Sequence, residues 1–302
     1  MKNTPLKYRL NVIGGALIIF VCIRTYLPML ARQLGLRENF DIWLIVYSLT
    51  LIMACLLPIA FIEKMADFHP MLFKKQPLKI SDGIIVLGCV FLFTLFTIAN
   101  SLLISLLAKL GINFPPQSLE PIGSGLTLVL YFIFSAVIPA ISEELFMRGI
   151  VLNLLLPNGR RFAVLTSALL FTVMHTQLQS FPYVFCTGVV LACVYLYTDK
   201  IYIPMLLHFT NNACSFMIMY MQQRVNGISA MGFASLVMGT IIAGGGFCFY
   251  LMKKMDIHIF SCLAKEGKNA KISKIFTCPV MVLGLVCCLM AVFTQLYADL
   301  VM

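Results

Sequence analysis

Apolar residues run through this chain in long blocks, and polar positions are confined to the short stretches between them. Blocks at 10–31, 42–62, 83–108, 124–156, 162–178, 180–198, 201–221, 229–252 and 276–299 stand out. Each is near the 20 or so residues that a helix needs to cross a hydrocarbon core about 30 Å thick. The pattern predicts an all-α fold, a polytopic transmembrane helix bundle of eight or nine spans. The fourth block is longer than one crossing requires, which predicts either a tilted helix or one that breaks where its charges fall. A loop from Gly111 to Gly123 with Pro115, Pro116 and Pro121 precedes it and breaks helix. The chain divides into N-terminal helices at 1–120, a central unit at 121–221 and C-terminal helices at 222–302.

Composition agrees with that pattern. Of 302 residues, 61% are hydrophobic and 11% charged, against about 45–50% and about 25% in soluble domains. A soluble protein of this size needs a charged surface; a bilayer removes the need. The first block begins near Leu10 with no Ala-x-Ala site after it, and is read as an uncleaved span. Eleven cysteines are scattered without Cys-x-x-Cys spacing, many inside apolar blocks, such as Cys186, Cys193, Cys287 and Cys288. They are expected to be packing side chains and imply no disulfide framework.

The net charge of +10 is not a nucleic-acid signature, because no soluble basic domain carries it. The cations lie between blocks, as topology determinants do. With the N-terminus inside, the inner segments hold Lys2, Lys7, Arg9, Lys64, Lys74, Lys75, Lys79, Arg160, Arg161, Lys200, Lys253, Lys254, Lys265, Lys268, Lys271 and Lys274. The outer segments hold only Arg32, Arg37, Lys109 and Arg224. The expected protein is therefore a multi-pass plasma-membrane protein with a cytoplasmic N-terminus. The bilayer is its partner, and the basic loop from Lys253 to Lys274 is a solvated topology determinant.

Charge within a span is costly, so each instance is a functional hypothesis. The set is Arg24, Glu143, Glu144, Arg148, His175 and His208. His69 and His258 fall in charged loops and read as surface residues. Arg24 reads as structural, snorkelling or paired. At about 1.5 Å per residue from the inner loops, Glu143 and His175 each rise roughly 20 Å, His208 roughly 12 Å and Asn212 roughly 18 Å. Separate helices thus bring polar groups to a similar depth. Glu144 and Arg148, four apart, share a face and can pair, while Glu143 points about 100° away. His208 and Asn212, also four apart, present a donor pair, and Phe171 lies one turn below His175.

These groups suit peptide hydrolysis. A carboxylate in a water-poor pocket is a good base, so Glu143 can take a proton from an attacking water that His175 helps to hold. His208 and Asn212 can donate to the oxyanion, where one such donor is worth about 3–4 kcal/mol in other enzymes. Glu144, Arg148 and Phe171 then support the reacting groups from behind.

The same residues carry a resemblance. Glu143-Glu144-Leu145-Phe146-Met147-Arg148, followed by Gly149, fits Glu-Glu-x-x-x-Arg. Phe171 to His175 fits Phe-x-x-x-His, and His208 to Asn212 fits His-x-x-x-Asn. Together and in this order they resemble the CPBP family of intramembrane proteases, also called the Abi or type II CAAX prenyl endopeptidase family. Met147 stands where that family often has an aromatic residue. The resemblance implies an endopeptidase acting on membrane-associated or lipidated peptides, with Glu143 as base, His175 acting with it on water, and His208 and Asn212 as oxyanion site. The family is usually labelled metalloprotease. If a zinc ion is bound, Glu143, His175 and His208 are its candidate ligands; no His-Glu-x-x-His is present, and committing His208 to the oxyanion leaves too few. The expected reading requires no cofactor and places the opening toward the cytoplasmic half. The alternatives are a catalytically silent immunity or scaffold protein and an ion-coupled transporter.

Overall fold

The computed structural model describes residues 5–74, 76–114, 122, 125–224, 227–264 and 270–301. The proline-bearing part of the 111–123 loop and Lys2, Lys75, Lys265 and Lys268 lie outside them. The described residues form an all-α polytopic bundle. Nine helical segments run alternately between two ends: α1 (Leu6–Gln33), α2 (Phe40–Ala66), α3 (Ile80–Lys109), α4 (Gly125–Asn158), α5 (Arg160–Met174), α6 (Phe181–Thr198), α7 (Tyr202–Arg224), α8 (227–254) and α9 (Pro279–Val301).

Seven of the nine are long and apolar enough to cross a membrane, so the chain is a multi-pass membrane protein. The two that fall short are α5 and α7. With 15 residues, α5 rises only about 22 Å. It forms a short hairpin with α6, with its tip at 175–180. The sequence expectation of helix to 178 fails here: the helix stops at Met174.

The fourth block is one long helix, neither broken nor uniformly α. It loosens into π-helical turns at Ile133–Val137 and Leu145–Leu152. Such turns widen the backbone spiral and commonly occur at functional sites. Asn153 fastens the second one, its side-chain amide donating to the Arg148 and Gly149 carbonyls and to the Tyr195 hydroxyl.

Local chemistry fixes several boundaries. The Asn39 side chain accepts from the Asp41 and Ile42 amides at the start of α2, and Asp67 ends it in the left-handed region. Helices without a water-driven apolar force between them pack through small residues. At the crossing of α1 and α9, a Cβ on Gly14 would meet the Met281 backbone at 2.4 Å, and one on Gly284 the Gly14 carbonyl at 2.6 Å. Large apolar side chains such as Leu87, Leu102, Leu236 and Phe293 cover the outside, as a surface facing lipid requires.

The two ends differ in charge. One gathers Lys7, Lys64, Lys74, Lys79, Arg160, Arg161 and Lys200, where Lys200 pairs with Asp82 and donates to the Pro77 carbonyl. The other carries the 34–39 turn, the 175–180 tip and the end of α7, with Arg37, Lys109 and Arg224.

Candidate active site

Four helices build the site. Glu143 and Glu144 lie on α4 just before its second π-helical stretch, and their adjacency sends the two carboxylates to different partners. Glu144 is fully buried; its Oε1 accepts from Arg148 Nη1 at 2.9 Å and from His208 Nδ1 at 3.0 Å. Arg148 donates its other terminal nitrogen to the Gly188 carbonyl on α6 and stacks over the Phe171 ring at 4.5 Å. Gly188 also lets α6 pack closely on α5, because a Cβ there would stand 3.3 Å from Ala168 and from the Phe171 ring. The expected Glu144–Arg148 pair is present, and it also holds His208 on α7.

His175 lies one residue beyond α5 in extended backbone, and not within a helix as the pattern predicts. Its Nδ1 is 2.8 Å from the Phe171 carbonyl, an end-of-helix acceptor without an intrahelical partner. A carbonyl only accepts, so Nδ1 carries the hydrogen and Nε2 presents a lone pair. That nitrogen faces Glu143 Oε2 at 4.0 Å. Glu143 Oε2 is buried without a hydrogen-bond partner. Two acceptors at this separation fit one bridging water, which donates a hydrogen to each.

His208 and Asn212 line a cavity of about 210 Å³ with Phe171, His175 and Tyr183. Phe171 presents its ring to both histidines, with centroids 4.7 Å from His175 and 6.1 Å from His208. A chain of polar contacts sets the Asn212 amide: Tyr183 donates to Asn211 Oδ1, and Asn211 Nδ2 donates to Asn212 Oδ1 at 3.2 Å. This leaves Asn212 Nδ2 as a donor. Spacing alone missed Tyr183 and Asn211, because neither carries charge.

Arg24 is a second omission. It lines a cavity of about 180 Å³ together with Glu143, His175 and Gln177, so it belongs to the site's surroundings and not only to the α1 scaffold. His69 and His258 are exposed, as expected.

The proposed ligand set Glu143, His175 and His208 does not gather into a metal-binding cluster; no group of three His, Cys, Asp or Glu side chains does so among the described residues. His208 Nδ1 is held by Glu144 and His175 Nδ1 by a carbonyl, which leaves Nε2 as the open nitrogen of each ring.

Residues 125–214 match the family model described as "Type II CAAX prenyl endopeptidase Rce1-like". The central part of the chain is thus similar to an Rce1-like domain. It spans α4 to the first half of α7 and contains Glu143, Glu144, Arg148, Phe171, His175, His208 and Asn212. The recognition agrees with the CPBP resemblance, and in general terms it supports a membrane endopeptidase of the CAAX-protease type. No curated protein and no solved structure matches the chain.

Proposed function

We propose that this protein is an intramembrane endopeptidase that hydrolyses membrane-associated peptides with a water activated by Glu143, and that residues 121–221 are its catalytic unit. The observation that carries the reading is the buried, unpartnered Glu143 Oε2 facing His175 Nε2 across 4.0 Å. The water between them is held by both acceptors, with its lone pairs turned toward a peptide carbonyl. As its oxygen bonds to that carbon, its proton passes to Glu143. The negative charge that forms on the carbonyl oxygen is met by Asn212 Nδ2. His208, whose Nδ1 is held by Glu144 and, through it, by Arg148, stands beside Asn212 as the second group at the oxyanion. When the carbon–nitrogen bond breaks, Glu143 returns the proton to the departing amine. No step uses a metal.

The proposed setting is a plasma membrane with the basic end of the bundle cytoplasmic. In that orientation the 175–180 tip lies toward the opposite face, because α5 rises from Arg160 at the basic end to Met174 at the tip, and the proposal opens the site there rather than toward the cytoplasmic half.

The test compares wild type with Glu143→Gln in proteoliposomes against a library of quenched fluorescent peptides. Cleavage by the wild type alone is expected. Equal cleavage by both would eliminate Glu143 as the base.

A further inference from the structure

α1 lies outside the segment that matches the family model, yet it places a cation beside the site. The Arg24 guanidinium lies over the Tyr47 ring at 4.3 Å, and its Nη1 is buried without a hydrogen-bond partner. The residue lines two neighbouring cavities. One, about 180 Å³, holds Glu143 and His175. The other, about 230 Å³, continues along α1 past Thr25 to Arg32, with Thr176 and Thr294 on its walls. Phe20, Met174 and Thr176 border both. Among the described residues, the lining of the larger cavity includes two arginines and no Asp or Glu. Arg24 is half-buried, and its buried, unbonded nitrogen is a donor left open to a ligand. Its planar donor set matches a carboxylate.

We propose that Arg24 binds a carboxylate of the peptide substrate, so that the cavity running from Glu143 past Arg24 to Arg32 is the specificity pocket for the segment beyond the scissile bond. The inference rests on the protease reading for the role of Glu143 but is tested by binding. The scissile carbonyl sits between Glu143 and the His208–Asn212 pair. The segment that follows enters the arginine-lined cavity, and either its C-terminal carboxylate or an acidic side chain reaches Arg24. The aromatic face of Tyr47 holds the guanidinium in place from behind.

The experiment uses full-length Glu143→Gln in phosphatidylcholine vesicles, with and without Arg24→Gln or Arg24→Lys. The probes are fluorescein-labelled, N-acylated hexapeptide pools lacking Asp and Glu, made as free acids and as C-terminal amides, and an amide pool carrying one Asp. The free-acid pool is expected to bind about tenfold or more tighter than the plain amide. Arg24→Gln should abolish that preference, and Arg24→Lys should restore part of it. Tight binding of the Asp-bearing amide would assign the carboxylate to a side chain, and weak binding to the C-terminus; both support the pocket. Equal affinity for acid and amide, an acid preference that survives Arg24→Gln, or no binding of any pool would overturn it. Because Glu143 is already replaced, these outcomes do not depend on cleavage. A wild type that fails to cut while the acid preference stands would sink the protease reading alone.

Discussion

Glu144 Oε1 lies 3.0 Å from His208 Nδ1 while also accepting from Arg148 at 2.9 Å. The second glutamate of the pair is therefore a structural anchor for a site histidine on another helix. Its neighbour Glu143 takes no part in that network and faces His175. Adjacent, chemically identical residues thus have different partners.

That division predicts opposite phenotypes. Glu144→Gln removes the counter-charge of a wholly buried arginine, and breaking such a pair costs about 3–5 kcal/mol. Thermal unfolding in detergent should show a large loss of stability. Glu143→Gln should unfold close to the wild type and lose about 10²–10⁴-fold in kcat. If both variants unfold alike, the separation is wrong.

Asn212 is oriented by Asn211, which is oriented by Tyr183. Asn212→Ala should lower kcat by about 10²–10³-fold with little change in KM, as for loss of one oxyanion donor. Tyr183→Phe leaves Asn212 in place but frees Asn211, so a smaller loss in kcat is expected. Steady-state kinetics on the best peptide decide it. A Tyr183→Phe effect confined to KM would assign that hydroxyl to substrate binding instead.

Much of this was legible in the sequence. The apolar blocks marked all nine helical segments, because a bilayer imposes a length that composition alone reveals. The depth argument brought Glu143, His175 and Asn212 together, because helical rise is nearly invariant. What stayed hidden depended on the chain leaving ideal helix. The stop at Met174 has no Gly or Pro to announce it; it is fixed by the His175 ring meeting the Phe171 carbonyl. The π-helical turns of α4 leave no periodic signature in so apolar a stretch. Arg24 looked like a scaffold residue because the cavity it shares with Glu143 forms only when α1 packs beside α4 and α5.

The α1–α9 crossing gives a prediction about the scaffold. Gly14→Val places its Cβ against the Met281 backbone, and neither helix axis can yield as a flexible side chain would. The unfolding midpoint should fall by the equivalent of about 1–3 kcal/mol or more. Gly83, near the start of α3, has open space where a methyl group would stand, with nothing within 4 Å. Gly83→Ala should be neutral or stabilising by about 0.5–1 kcal/mol. Equal effects would mean that α1 and α9 do not meet as described.

Metal content is expected to be substoichiometric in pure, active protein, and activity should survive chelation. Elemental analysis before and after treatment with a zinc chelator checks this. About one zinc per chain, removed together with activity and restored with it, would overturn the metal-independent reading.

The last prediction concerns sidedness. The short α5 carries His175 away from Arg160 and Arg161, and the proposed opening at its tip faces away from the basic loops. If the basic end is cytoplasmic, alkaline phosphatase fused after Leu36, in the turn between α1 and α2, should be active. A fusion after Pro70, between α2 and α3, should be inactive. The reverse pattern would put the opening at the cytoplasm and the lysine-rich end outside. The charge rule would then have failed for this chain, and substrates would reach Glu143 from the cytosol. The helix geometry is the same in both cases, so the two fusions together fix the compartment in which a peptide must present its scissile bond.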